Sequence, residues 1–131
     1  MFRFEMAMYA NPEQDLNGLW WKLVERYQGL KRPDGRNAPD YASKIHVVSA
    51  PCYYHNYLLG QLFASQVHYT IAREVLKSDP ATALYTGRPE VGEFLRKRVF
   101  APGRTLRWND LTLFATGEAL NAADFAADLK N

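Results

Sequence analysis

Apolar side chains recur along this chain at spacings of three and four residues, separated by short breaks rich in proline, glycine and asparagine. Such spacing is typical of helices that bury one face. The pattern predicts helices over residues 2–10, 12–28, about 51–77, 81–85, 89–99, 106–116 and 122–130, with at most a short extended piece at 45–48. The predicted fold class is all-α, an irregular multi-helix array around one long buried helix at about 51–77.

Local signals set several of these boundaries. Asn11 and Pro12 predict a helix start, because asparagine is a good helix cap and proline suits the first helical position. Gly29 and Gly117 predict helix ends, since glycine readily adopts the left-handed conformation that follows many helices. The polar residues 31–43 are predicted to form an internal loop rather than a domain boundary.

The stretch from Ile45 to Ala72 carries no Asp, Glu, Lys or Arg, yet histidine, asparagine and glutamine are scattered through it. This composition fits neither a surface helix nor a lipid span, and it predicts a buried helix that bears a polar site. Pro51 is expected at its first helical position. Tyr54 and Tyr57, three residues apart, then share one face of its opening turns.

Cationic and hydrogen-bond-donating groups are expected to converge where this helix begins. Its first N–H groups carry partial positive charge, and Lys44 and His46 precede it on the extended segment. Such a place suits an anion or a polarised carbonyl oxygen. We therefore predict a carboxylate-binding, oxyanion-stabilising site formed by Lys44, His46, Tyr54 and Tyr57.

Four separated sequence blocks extend this picture. They are Trp20-Trp21-x-Leu23-x-x-x-Tyr27-Gln28-Gly29, Lys44-x-His46, Tyr54-x-x-Tyr57 with the helix that reaches His68, and Trp108-x-x-Leu111 with Thr116-Gly117-Glu118 and Asn121-Ala122. In this order they resemble the C-terminal part of the angiotensin-converting enzyme family of zinc peptidyl-dipeptidases. The resemblance implies that residues 1–131 form a single helical domain, a fragment of a larger metallopeptidase catalytic domain.

The resemblance also implies residue roles. Lys44 would supply the charge that holds the C-terminal carboxylate of a peptide substrate, and Tyr54 would donate to the same carboxylate. His46 would hydrogen-bond the substrate backbone, and Tyr57 would donate to the oxygen that becomes negative during hydrolysis. Taken alone, these residues also fit a solvated lysine, a core aromatic and a satisfied buried histidine.

The register of these residues leaves one alternative open. Lys44 and His46 lie one residue farther from Tyr54 than the family pattern has them, and Cys52 and Tyr53 fall between Pro51 and Tyr54. Matching Tyr53 instead would lose the agreement of Tyr57 and the helix that follows. The helix register is preferred.

Metal ligation is not expected in this chain. The family binds zinc through a helical HExxH pair and a further glutamate, and this sequence has no HExxH. Cys52-x-x-His55 with His46 lacks a fourth ligand for a zinc site. The chain is therefore expected to be a peptidase segment that is inactive alone. The alternative is a non-catalytic helical peptide-binding or protein-interaction module.

Composition limits the partners. A net charge of +2 gives no support for nucleic acid or acidic membranes as partners, and no transmembrane run or export signal is visible. The expected partners are a peptide with a free C-terminal carboxylate and the HExxH-bearing part of the enzyme. Self-association through exposed apolar surface is a further expectation. A single cysteine, Cys52, leaves the redox compartment open.

Overall fold

The computed structural model describes residues 1–130, over which the chain forms helices and no strand. The all-α prediction is confirmed. The α-helices are α1 (Phe2–Ala10), α2 (Leu16–Gln28), α3 (Ile45–Val48), α4 (His55–Thr70), α5 (Pro89–Leu95), α6 (Trp108–Thr116) and α7 (Ala123–Asp128). Short 3₁₀ turns occupy Asp40–Ser43 and Pro80–Thr82, and wider π-helical turns at Ile71–Leu76 and Arg96–Phe100 follow α4 and α5.

The chain divides into two compact units, an N-terminal unit, Met1–Tyr57, and a C-terminal unit, Leu58–Asn131. The division falls within α4. Whether the chain acts as a single domain of a larger enzyme stays a prediction. Over residues 1–130, no helix is both long enough and apolar enough to span a bilayer.

The core of the N-terminal unit is built around Phe4 of α1, which is fully buried. Its ring meets Trp20 of α2 edge-on at 5.3 Å between centroids and lies 4.9 Å from the ring of Tyr41. Val24 completes the buried set. These aromatic contacts join α1, α2 and the 3₁₀ turn that leads to Lys44, so they support the segment on which the predicted site begins.

The start of α2 differs from the prediction. Its cap is Asp15, whose carboxylate accepts a hydrogen bond from the Gly18 N–H at 2.9 Å. The Gln14 amide instead donates to the carbonyls of Ala7 and Asn11, both at 2.7 Å, and so closes the end of α1. The predicted end is confirmed, because Gly29 follows α2 in the left-handed conformation with φ +68°.

The segment before α4 also corrects two expectations. Residues 45–48 form the single helical turn α3 rather than an extended piece, with the Ser49 N–H donating to the Ile45 carbonyl at 2.8 Å. Pro51 is not at a first helical position, because α4 begins only at His55. The reason is Cys52, whose φ of +57° is incompatible with a right-handed helix.

The long helix is buried only in its second half. Tyr57 is 57% exposed and Leu58 is similarly open, whereas burial begins at Ser65. Within the C-terminal unit, Val67 and Ile71 pack with Leu76 and Val91. The predicted buried helix is therefore correct over its C-terminal turns, while its opening turns are accessible to a ligand.

Two polar side chains organise the C-terminal unit. The buried Gln66 donates from Nε2 to the Ala119 carbonyl at 3.2 Å and accepts the Asn121 N–H at 2.9 Å. The His68 ring nitrogens lie 2.6 Å from the Tyr85 hydroxyl and 2.9 Å from the Pro80 carbonyl. Both side chains thus hydrogen-bond groups outside α4, and for the buried Gln66 such partners are required.

Candidate functional site

An open cleft of about 870 Å³ lies within the N-terminal unit. We call it the Lys44 cleft. Its walls come from α1, α2 and the segment from Ser43 to Tyr57, and its lining residues are Met1, Phe2, Arg3, Phe4, Trp20, Leu23, Val24, Tyr27, Gln28, Ser43, Lys44, Ile45, His46, Tyr54 and Tyr57. All four residues predicted for the site line this one cleft.

Lys44 is placed by a loop that is anchored to α2. The Trp21 indole N–H donates to Asp40 Oδ2 at 3.0 Å, and Arg36 Nε donates to both oxygens of the same carboxylate at 2.9 and 3.0 Å. Asp40 opens the 3₁₀ turn, and the Lys44 N–H closes it by donating to the Tyr41 carbonyl at 3.1 Å. The loop predicted to be merely polar therefore positions the lysine.

The Asp40 carboxylate is stabilised in its charged form. Hydrogen bonds from the Arg36 guanidinium lower its pKa below the ordinary aspartate value, and the bond from Trp21 adds to this effect. A lowered folded-state pKa contributes stability above the unfolded-state pKa and loses it as the pH falls through the folded value. The anchor should therefore weaken in acid.

Replacing Asp40 with asparagine tests this anchor. The variant is expected to have a lower Tm at neutral pH and a smaller further drop in Tm when the pH falls below about 4, because the titrating group is gone. Thermal unfolding at several pH values measures both effects. Asp34→Asn is the matched control, since exposed Asp34 of the same loop makes no side-chain hydrogen bond or ion pair within residues 1–130. Identical acid profiles for wild type and Asp40→Asn would contradict the prediction.

His46, Tyr54 and Tyr57 form an aromatic cluster at the cleft wall. The Tyr57 hydroxyl lies 3.1 Å from His46 Nε2. Ring centroids are 5.2 Å apart for His46 and Tyr54, 5.3 Å for His46 and Tyr57, and 5.4 Å for the two tyrosines. Tyr53 stacks on His46 at 6.0 Å but is not among the residues that line the cleft.

One nitrogen of the His46 ring has a hydrogen-bond partner and the other has none within the described chain. Nε2 pairs with Tyr57, whereas the buried Nδ1 has no hydrogen-bond partner within the described chain. A buried polar atom without a partner is costly. The geometry thus provides a phenol and an imidazole whose remaining hydrogen-bonding capacity is unused.

The electrostatics of the cleft favour an anion. Its described lining includes two side-chain cations, Arg3 and Lys44, and no aspartate or glutamate. The Arg3 guanidinium also lies 5.6 Å from the centre of the Tyr27 ring, which holds it at the α1 side of the cleft. Clefts lined by one sign of charge concentrate ligands of the opposite sign.

Arg3 was missed by sequence reasoning. The four matching blocks begin at Trp20, so α1 carried no functional expectation. No sequence signal points to Arg3, because its direction depends on the burial of the neighbouring Phe4, which only the structure shows. Tertiary contact with α2 is what turns this helix into a cleft wall.

The zinc implied by the resemblance has no fitting site among residues 1–130. No three His, Cys, Asp or Glu side chains converge there as metal ligands require. His46 Nε2 pairs with Tyr57, and the His55 ring packs at 5.5 Å against Phe2. The donor set of the described residues therefore does not fit a zinc ion.

Comparison with known proteins supplies the family. A family sequence model described as angiotensin-converting enzyme matches residues 1–127. No curated protein and no solved structure matches the chain. The family match covers both compact units and includes the helices and the cleft described above. The chain therefore belongs to the angiotensin-converting enzyme family of peptidases.

Proposed function

We propose that this chain supplies the wall of a peptidyl-dipeptidase active site that binds the C-terminal carboxylate of a peptide and stabilises the oxyanion formed during cleavage. The observation that carries the proposal is the Lys44 cleft, which combines two cations, two phenols and an imidazole with no acidic lining residue in the described chain. Such a constellation matches a peptide end that carries negative charge.

Carboxylate recognition is assigned to Lys44 and Tyr54. Both line the cleft, and Lys44 is an exposed cation whose backbone is fixed by the loop anchored at Asp40. A lysine ammonium donates charge-assisted hydrogen bonds to a carboxylate, which are roughly twice as strong as neutral ones. A phenol adds a neutral donor to the same group. Together they distinguish a free acid from an amide.

Oxyanion stabilisation is assigned to Tyr57, positioned by His46. The bond between them can run in either direction, depending on which nitrogen of the imidazole carries a proton. When Nε2–H donates to the phenol oxygen, the phenol keeps its own proton for an oxyanion in the cleft. In that tautomer His46 Nδ1 is an acceptor, and because this atom is buried, the ring must turn toward the cleft before a substrate N–H can reach it.

The rest of the chemistry requires another segment. None of the three histidines is followed by glutamate, so the sequence contains no HExxH motif. In zinc peptidases with that motif, its histidines bind the metal and its glutamate acts as general base. We therefore propose that this chain is inactive alone, and that its partner is a polypeptide bearing the HExxH motif.

Binding of a free acid and of its amide tests the proposal. Isothermal titration of the purified chain with N-acetyl-alanyl-phenylalanine is expected to give at least about tenfold tighter binding than its C-terminal amide, because only the acid pairs with the ammonium. Lys44→Ala should remove this preference. Lys22→Ala is the matched control, since Lys22 of α2 is exposed and is not a cleft-lining residue. Equal affinities for acid and amide would refute the proposed carboxylate site.

A second candidate function is a non-catalytic peptide-binding or protein-interaction module. It is favoured by the exposed apolar side chains Phe2, Met6 and Tyr9 of α1. Surfaces of this kind often mark protein contacts, and self-association would cover them. Sedimentation equilibrium over a range of concentrations, together with the acid and amide titration, separates the two functions. Self-association of the chain, together with equal binding of the acid and the amide, would favour the non-catalytic module.

A further inference from the structure

Glu5 is a buried acidic residue outside the described cleft. It lies in α1 beside Phe4, and only 3% of its surface is exposed. Burying a carboxylate is costly unless hydrogen bonds or charges compensate. Oε1 accepts the backbone N–H of Cys52 at 2.8 Å, while Oε2 has no partner within the described chain. The hydrogen bond to Cys52 is therefore the one contact of the carboxylate that compensates for its burial within the described chain.

The partner of Glu5 is itself strained. Cys52 has φ +57°, in the left-handed region that is unfavourable for a residue with a side chain. The bond between Glu5 and Cys52 spans 47 positions of the sequence. Because the left-handed region is unfavourable for cysteine, the turn needs an outside contact to hold it, and the Glu5 carboxylate provides one.

The turn held by Glu5 joins the two halves of the proposed site. His46 lies in α3 before the turn, and Tyr57 lies in α4 after it. The direction of the chain at Cys52 therefore decides whether the Tyr57 hydroxyl reaches His46 Nε2, which it does at 3.1 Å. A shift of the turn would separate them.

A second residue of α1 contacts the same turn. Tyr9 lies one helical turn beyond Glu5, on the same face. Partial desolvation raises the pKa of the Tyr9 phenol, and the neighbouring Cys52 thiol raises it further. The α1 helix thus approaches Cys52 at two points. Glu5 accepts the Cys52 backbone N–H, and Tyr9 lies near the Cys52 thiol.

We infer that Glu5 is a positioning residue of the proposed active site, which holds the Cys52 turn so that His46 and Tyr57 stay in contact at the Lys44 cleft. The inference rests on the proposed function for its effect on ligand binding. Glu5 itself touches no ligand in this account. It acts through the Cys52 N–H.

Two substitutions distinguish the hydrogen bond that Glu5 accepts from the negative charge that it carries. Glu5→Gln keeps a carbonyl oxygen in place for the Cys52 N–H, whereas Glu5→Met removes the acceptor at similar volume. We expect Glu5→Met to speed hydrogen exchange of the Cys52 amide about tenfold and to weaken binding of the free acid by a similar factor. Glu5→Gln should leave both close to wild type.

A further substitution tests the strain directly. Glycine adopts positive φ without penalty, so Cys52→Gly in the Glu5→Met background should restore most of the lost acid binding. Gln66→Met is the matched control, because Gln66 is also buried and also accepts a backbone N–H, at Asn121. It should lower Tm without changing exchange at Cys52 or the preference for the acid.

The outcomes are distinguishable. If Glu5→Met leaves acid binding or Cys52 exchange unchanged, the positioning role is wrong. If the wild-type chain shows no preference for the acid, the proposed function fails. The positioning role is then decided by the ¹⁵N resonances of the His46 ring, which must shift in Glu5→Met and stay unchanged in Glu5→Gln. A shift in Gln66→Met as large as that in Glu5→Met would also overturn it.

Discussion

Replacing Tyr57 with phenylalanine is expected to lower kcat about 100-fold or more for release of C-terminal dipeptides, while KM changes little, when this chain is combined with an HExxH-bearing segment of the same family. The substitution removes only the hydroxyl that lies 3.1 Å from His46 Nε2 at the cleft wall. A donor used mainly by the oxyanion contributes to the transition state and not to substrate binding. Steady-state kinetics on a peptide with a free C-terminus measures the two constants separately.

Tyr54→Phe is the matched control for Tyr57→Phe. The two phenols lie 5.4 Å apart between ring centroids and line the same cleft, so each variant deletes one hydroxyl from the same environment. Tyr54→Phe is expected to raise KM with kcat nearly unchanged, because the carboxylate contact proposed for its hydroxyl is made in both ground and transition states. The reverse pattern would exchange the two roles. A mixture without any turnover would favour the non-catalytic module.

Replacing Phe4 with alanine is expected to destabilise the N-terminal unit by about 3–5 kcal/mol. Phe4 is 0% exposed, and its ring contacts those of Trp20 and Tyr41. Deleting it leaves a cavity between α1, α2 and the turn that precedes Lys44, so acid binding in the cleft should fall as well. Urea unfolding followed by tryptophan fluorescence reports on this unit through Trp20 and Trp21 when Trp108, in the C-terminal unit, is replaced by phenylalanine in both proteins.

Phe100→Ala controls for the loss of an aromatic ring. Phe100 is 69% exposed in the C-terminal unit, so its removal should change the free energy of unfolding by less than about 0.5 kcal/mol. Acid binding should stay at the wild-type level. A Phe4→Ala protein as stable as Phe100→Ala would show that Phe4 is not the centre of this core.

Helix type and many helix ends were predictable because their causes are local. Gly29 and Gly117 end α2 and α6 with φ of +68° and +80°, and Pro89 opens α5, as the sequence signals indicated. Such signals depend on the conformational freedom of one residue and the hydrogen bonds of its neighbours. The same reasoning misplaced the start of α2, where Asp15 provides a side-chain cap that Asn11 does not.

The buried face of α1 was not predictable from spacing alone. Phe2, Met6 and Tyr9 share one helical face, yet all three are about half exposed, whereas Phe4 and Glu5 are buried. Periodicity shows that apolar residues lie together but does not say which face meets a partner. That choice depends on contacts with Trp20 and Tyr41, which are far along the chain.

Sequence alone was enough to predict the all-α class, the family resemblance and a shared site for Lys44, His46, Tyr54 and Tyr57, which line one cleft. These features arise from side-chain chemistry and local backbone preference. Three features required the folded chain: the turn at Cys52, the start of α4 at His55, and the place of Arg3 in the cleft. The physical reason is that each depends on α1 packing against residues distant in sequence, and the energies of such contacts outweigh local preferences for helix or strand.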